Sequence, residues 1–305
     1  MKMKAFVFPG QGSQKVGMLL DSEQAVSGTF NRASEVLGYD LWRLIQEDPE
    51  SQLNQTEYTQ PALLTASVAL WQLWQNRGGS ADYLAGHSLG EYVALVASSV
   101  LRLQDAVQLV RLRGQLMQSA VPVGEGGMKV IMGLKDSEIR TICEQISEGT
   151  VEAANFNAPG QVVISGSNEA VAAAAEACQK AGAKRVIALP VSAPFHCSLM
   201  APAAEKLEQA LSEVTFSSPE IPVIQNVTAQ VCADPGLIKR NLVKQMSCAV
   251  RWTECVQHMG QLGVTAMIEC GPGKVLTGLN RRISRDMDTH NLGSVADVSA
   301  LWGAL

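Results

Sequence analysis

The chain has 305 residues, 47% of them hydrophobic and 17% charged, and a net charge of -5. That length buries a large core and suits one big unit with a smaller companion, while an acidic chain without arginine-rich or lysine-rich runs argues against a dedicated nucleic-acid binder. Seven cysteines with no C-x-x-C pair point to a reducing compartment, so the cytoplasm is the expected location.

The first predicted strand, residues 5–8, runs into Pro9-Gly10-Gln11-Gly12-Ser13. A dinucleotide loop needs a third glycine where Lys15 stands, so this turn is read instead as one that brings a backbone N–H close to a ligand. Gln11 is thereby a candidate oxyanion donor. A helix over 61–77 follows; the uncharged stretch 58–76 holds too many glutamines and threonines for a membrane span. The uncharged stretch 186–204 is broken by Pro190, Pro194 and Pro202, so no membrane association is expected.

A short buried strand, 83–85, then leads through Gly86-His87-Ser88-Leu89-Gly90 into an apolar helix over 89–100. This is the G-x-S-x-G spacing of a strand-to-helix elbow, whose apex exposes a nucleophilic hydroxyl, here that of Ser88. The N–H of Leu89, the residue after the nucleophile, is the second oxyanion donor in such a turn. The plainer reading is a glycine-flanked serine that caps a buried helix. On the next helix, 104–119, Arg111 and Arg113 stand two residues apart and cannot share a face, so one is expected to be buried and the other solvated. A buried guanidinium needs a carboxylate, supplied either by a ligand or by a structural ion pair.

Residues 124–192 change rhythm: strand 129–134, helix 136–147, strand 151–155, strand 161–165, helix 168–181 and strand 185–189 give the order βαββαβ of a ferredoxin-like unit. The surrounding chain, with a helix over 199–211 and strands over 221–225 and 265–269, alternates strands and helices around a mostly parallel sheet. The expected fold is therefore α/β, with an α/β-hydrolase-like large subdomain built from 1–123 and 193–305 and a ferredoxin-like subdomain of 124–192 inserted into it. Ligands are expected in the cleft between them.

Of the four histidines, His87 adjoins Ser88 on a turn where neighbouring side chains diverge, His258 lies in a predicted helix, and His290 in a polar C-terminal segment. His196 follows Phe195 where the chain re-enters the large unit, which makes it the candidate base. No acid stands out between Ser88 and His196 as a third triad member, and a dyad whose imidazole is oriented by a backbone carbonyl is adequate. Gly271-Pro272-Gly273-Lys274 lacks the spacing of a phosphate loop and reads as a turn into a helix.

Taken together, Gly10 to Gln14, Gly86 to Glu91, Arg113-Gly114 with Met117-Gln118, Phe195-His196 and Gly271 to Lys274 resemble the malonyl-CoA:acyl carrier protein transacylases of bacterial type II fatty-acid synthesis. The similarity extends to Thr59 to Ser67 and to Gly160 to Ile164, and so runs through nearly the whole chain. It implies a malonyl ester on Ser88, His196 as base and then acid, and the N–H groups of Gln11 and Leu89 on the oxyanion. Arg113 would pair with the malonyl carboxylate, Gln245 would orient His196 through its carbonyl, and Gln60 would line the pocket. Phe195 resembles the bulky residue that disfavours an α-methyl branch. The implied partners are malonyl-CoA and acyl carrier protein, with no cofactor or metal; the carrier is acidic, so docking is expected on a basic surface drawn from Lys180, Lys184, Arg185, Lys239, Arg240, Lys244, Arg281, Arg282 and Arg285. Cys248-Ala249 departs from the Asn-Pro that relatives carry after the glutamine. A serine hydrolase or thioesterase shares the elbow and base, and is the alternative.

Overall fold

The computed structural model describes residues 3–191 and 193–304; the expected subdomain boundary at Ser192 lies outside them. In chain order the strands are β1 (Met3–Phe8), β2 (Tyr83–Gly86), β3 (Gly126–Met132), β4 (Val151–Ala158), β5 (Gln161–Ser167), β6 (Arg185–Ala188), β7 (Val223–Ile224), β8 (Val231–Cys232), β9 (Val264–Cys270) and β10 (Asp288–Leu292). The helices are α1 (Glu23–Leu37), α2 (Leu41–Glu47), α3 (Thr56–Asn76), α4 (Leu89–Ala97), α5 (Leu103–Ser119), α6 (Asp136–Glu144), α7 (Asn168–Lys180), α8 (Ala201–Ser212), α9 (Pro235–Ser247), α10 (Trp252–Gln261), α11 (Val275–Ile283) and α12 (Val295–Ala304).

Two sheets organise the chain. The larger, ordered β10-β9-β1-β2-β7-β8, is parallel except at β8. Its central strands are continuous apolar runs because both faces are covered. On one side Phe6 and Phe8 of β1 meet Trp71 of α3, with Phe6–Trp71 centroids 5.0 Å apart at 71°. On the other, Ala5, Val7 and Ala85 pack with Trp252, Val256 and Met259 of α10. The smaller sheet, ordered β4-β5-β3-β6, is antiparallel throughout, with α6 and α7 on its apolar face around Ile131, Ile139, Val162, Ile164 and Ala174. This is a mixed α/β fold with a parallel-rich main sheet.

Several expectations shift in detail. The helix expected from Pro61 starts at Thr56, with Pro61 inside it. Proline at a first helical position is a good start signal, but Thr56, Thr59 and Gln60 are buried, and that packing outweighs the one backbone bond proline forfeits. The strand expected over 221–225 is reduced to Val223 and Ile224. His290, in the polar C-terminal segment, belongs to an edge strand, β10, opposite Ile268.

Candidate active site

β2 ends in the middle of the large sheet, between β1 and β7, so the loops that follow these three strands converge beyond their carboxyl ends. Ser88 sits at the turn from β2 into α4 with φ 53° and ψ -105°, a strained backbone for a residue with a side chain. The flanking glycines are steric necessities. A Cβ on Gly86 would lie 1.8 Å from the carbonyl carbon of Gly90, and one on Gly90 would lie 2.1 Å from the Phe8 oxygen. Asn226, just after β7, holds the turn from the other side: the Ser88 N–H donates to its Oδ1 at 2.7 Å, and its Nδ2 donates to the Gly86 carbonyl at 2.7 Å.

His196 reaches Ser88 across the cleft. Its Nε2 lies 2.8 Å from Ser88 Oγ and its Nδ1 2.7 Å from the Gln245 carbonyl oxygen. A carbonyl only accepts, so Nδ1 carries the proton and Nε2 is free to accept the serine hydroxyl. His196 also has a positive φ of 61°. Burial, and then the Arg113 guanidinium, push its pKa down to about 3, so the ring is neutral at ordinary pH. His87 turns away: its Nε2 pairs with Asn157 Oδ1 at 2.7 Å, and its ring packs 5.7 Å from Trp252. His258 lies on α10, 3.5 Å from Gln261 Oε1.

Arg113 is fully buried on α5, whereas Arg111 donates to the Leu37 carbonyl at 2.8 Å and stacks on Tyr39. α5 can approach this closely because of Gly114, where a Cβ would meet the Glu57 Cα at 2.7 Å. From there Arg113 Nη1 donates to Gln60 Oε1 at 2.8 Å, and Nη2 donates to Ser88 Oγ at 3.0 Å and to Gln245 Oε1 at 2.8 Å. All three acceptors are uncharged, so the guanidinium is hydrogen-bonded without being neutralised, and burial lowers its pKa. The structural ion pair weighed as one alternative is not among these contacts. Gln60 in turn donates to Thr56 Oγ1 at 3.0 Å, and Thr56 donates to Gln11 Oε1 at 2.5 Å, which ties the loop after β1 to α3. Gln11, Thr56, Gln118, Pro190, Val191 and Phe195 line a cleft of about 270 Å³. Leu89 is the first residue of α4, where a backbone N–H has no acceptor within the helix.

The structure thus brings Ser88, His196, Arg113, Gln60 and Gln245 into one hydrogen-bonded cluster, with Gln11 joined through Thr56. Asn226, Glu91 and the Gln245 side chain were not anticipated. Glu91 did leave a signal, being the single acidic residue in the apolar stretch 89–100. Its carboxylate accepts from the Asn226 N–H at 2.9 Å and from Gln245 Nε2 at 2.8 Å. Among the described residues no group of three or more His, Cys, Asp or Glu side chains is placed to hold a metal ion, and no helix is long and apolar enough to cross a membrane.

The chain matches known proteins over nearly its whole length. The family model described as acyl transferase domain matches residues 5–297. A malonyl CoA-acyl carrier protein transacylase of Salmonella typhimurium is 52% identical over 100% of this chain and 99% of its own. The chain belongs to the malonyl CoA-acyl carrier protein transacylase family. An acyl carrier protein S-malonyltransferase structure from Vibrio cholerae, 52% identical, superposes with a TM-score of 0.95 over 98% of this chain and 99% of its own. A malonyl-transacylase crystallised with a type II PKS acyl-carrier protein gives a TM-score of 0.97 at 47% identity, over 99% of this chain and 100% of that one. Membership of the transacylase family makes the chain an acyltransferase.

Proposed function

We propose that the chain transfers the malonyl group of malonyl-CoA to the phosphopantetheine thiol of acyl carrier protein through a malonyl-Ser88 ester. The observation that carries this reading is the shared position of Ser88 Oγ, 2.8 Å from His196 Nε2 and 3.0 Å from the buried Arg113. His196 takes the Ser88 proton as Oγ attacks the thioester carbonyl, and the N–H groups of Gln11 and Leu89 hold the developing oxyanion at the positive end of α4. Collapse expels the CoA thiolate, which takes the proton back from His196. The pantetheine thiol then repeats the cycle on the ester, giving its proton to His196 and restoring the Ser88 hydroxyl.

Gln245 orients the His196 imidazole for this transfer by accepting from Nδ1 through its carbonyl, so no carboxylate is needed as a third member. Arg113 and Gln60 form the carboxylate end of the malonyl pocket, and Phe195 crowds the α-carbon. Malonyl-CoA and the carrier are both substrates and no cofactor takes part; the reaction is assigned to the cytoplasm. The large unit, 1–123 with 193–305, is α/β-hydrolase-like, and 124–192 forms an inserted ferredoxin-like subdomain; the antiparallel order β4-β5-β3-β6 and a separate apolar cluster support that division. The hydrolase alternative draws no support from the relatives. Initial velocities with malonyl-CoA and carrier as varied substrates test the mechanism: parallel double-reciprocal lines are expected, and intersecting lines would contradict a covalent intermediate.

A further inference from the structure

Glu91 is a buried acid that the transfer chemistry does not use. It is fully buried on α4, and one oxygen, Oε1, has no hydrogen-bond partner. Its other oxygen does two things at once, accepting from the backbone N–H of Asn226, whose side chain anchors the elbow, and from Gln245 Nε2. The second contact decides which way the Gln245 amide faces. With its NH₂ held by Glu91 and by the Ser88 carbonyl at 3.1 Å, Gln245 must present Oε1 to Arg113 Nη2, at 2.8 Å. Were the amide flipped, its NH₂ would meet the guanidinium and two donors would face each other. The same residue's backbone carbonyl orients His196. One glutamine therefore links the base, the guanidinium and the acid.

We infer that Glu91 is a positioning residue for malonyl transfer, whose carboxylate, acting through the Gln245 side chain, aims Arg113 at the substrate and supplies the negative charge that balances it before the substrate carboxylate arrives. The inference rests on the reading of Ser88, His196 and Arg113 given above. A buried guanidinium held only by neutral acceptors is costly, and a carboxylate one amide away offsets part of that cost. The titratable groups that face Glu91 are Arg113 from α5, Tyr92 beside it on α4 and Cys255 from α10. Burial dominates among these influences and raises the Glu91 pKa to about 7, against the hydrogen bonds from Asn226 and Gln245 and the charge of Arg113.

The test compares wild type, Glu91→Gln and Glu91→Asp by the rate of Ser88 acylation from malonyl-CoA across pH 5.5–8.5, with melting temperatures alongside. Glutamine can keep both hydrogen bonds through its own oxygen but carries no charge. The wild-type rate is expected to rise through a limb near 7 as Glu91 ionises, since His196 is already neutral there. Glu91→Gln should lose that limb and about tenfold or more of the rate at pH 8, the scale of one charged hydrogen bond, while Glu91→Asp keeps the limb. Because a raised carboxyl pKa makes the folded chain lose stability as pH rises from the usual carboxylate range to about 7, Glu91→Gln should melt no lower than wild type at pH 8. An unchanged rate and limb in Glu91→Gln overturns the inference while leaving the malonyl-Ser88 reading intact, which Ser88→Ala tests separately. Should Glu91→Gln prove insoluble, the limb near 7 decides: its presence in both wild type and Glu91→Asp supports the inference, and its absence from wild type overturns it.

Discussion

Ser88 and His196, the two residues that must meet, both hold a positive φ, and each such backbone costs about 1–3 kcal/mol. The hydrogen bonds they donate to Asn226 Oδ1 and to the Gln245 carbonyl keep them there. Ser88→Gly should therefore be more stable than Ser88→Ala by about 1 kcal/mol, read as a higher melting temperature, although both lack the nucleophile. An equal or lower midpoint for the glycine variant would mean that the turn is unstrained. Arg113 carries the selectivity argument. Malonyl offers it a carboxylate where acetyl offers none, and charged hydrogen bonds contribute about 1.5–3 kcal/mol each, so Arg113→Ala should lower kcat/KM for malonyl-CoA by about 10-fold to 150-fold and narrow the preference over acetyl-CoA. Steady-state rates with the two thioesters check this; a preserved preference would place the carboxylate elsewhere.

At the scale of elements, the elbow depends on β2 and α4 meeting with no side chain between them. Gly86→Ala or Gly90→Ala would force a Cβ within about 2 Å of backbone atoms, as the 1.8 and 2.1 Å contacts indicate. A loss of about 3 kcal/mol or more is expected, measured by denaturant unfolding, because backbone cannot yield as a flexible side chain does. The elbow was legible in the chain because this steric demand admits little but glycine at those positions. The order of strands and helices in the small antiparallel unit was legible too, since glycines and a proline at its turns separate its short apolar runs. β10 was not: an edge strand reading Asp288-Thr-His-Asn-Leu292 buries little on either face and so leaves no hydrophobic period. The start of α3 was hidden for the opposite reason, as Thr56 and Gln60 are polar residues buried for the sake of the site. Asn226 gave no signal, because its partners are backbone atoms of a turn 138 and 140 residues away in sequence. Gln245 was found only through resemblance to a family, for its carbonyl leaves no trace in residue type.

For the whole molecule, two neutral histidines, buried His196 and half-buried His87, set an acid limit. His196 and His87 both have pKa values depressed mainly by burial. The unfolded chain takes up these protons first, so the stability they contribute is present above the ordinary histidine range and is lost as pH falls below about 6.5. Melting temperature should fall between pH 6.5 and 5, and Glu91, whose own contribution changes in the opposite sense there, makes the fall shallower. A midpoint that rises over that interval would contradict the neutral assignment. Of the basic residues expected to dock the carrier, Lys184, Arg185 and Arg282 line one surface cleft of about 450 Å³ on a chain that is acidic overall. Reversing the charges of Arg185 and Arg282 is expected to raise the KM for carrier protein, and an unchanged KM would move the docking surface elsewhere.

The proposed transfer stands on a malonyl ester on Ser88 that passes to the carrier. Intact-mass spectrometry of wild type and Ser88→Ala after malonyl-CoA, before and after phosphopantetheinylated carrier protein is added, tests it most directly. A malonyl adduct is expected on wild type alone, and it then disappears as the carrier gains the same mass. An adduct that persists in Ser88→Ala, or one that decays to free malonate without reaching the carrier, would contradict it.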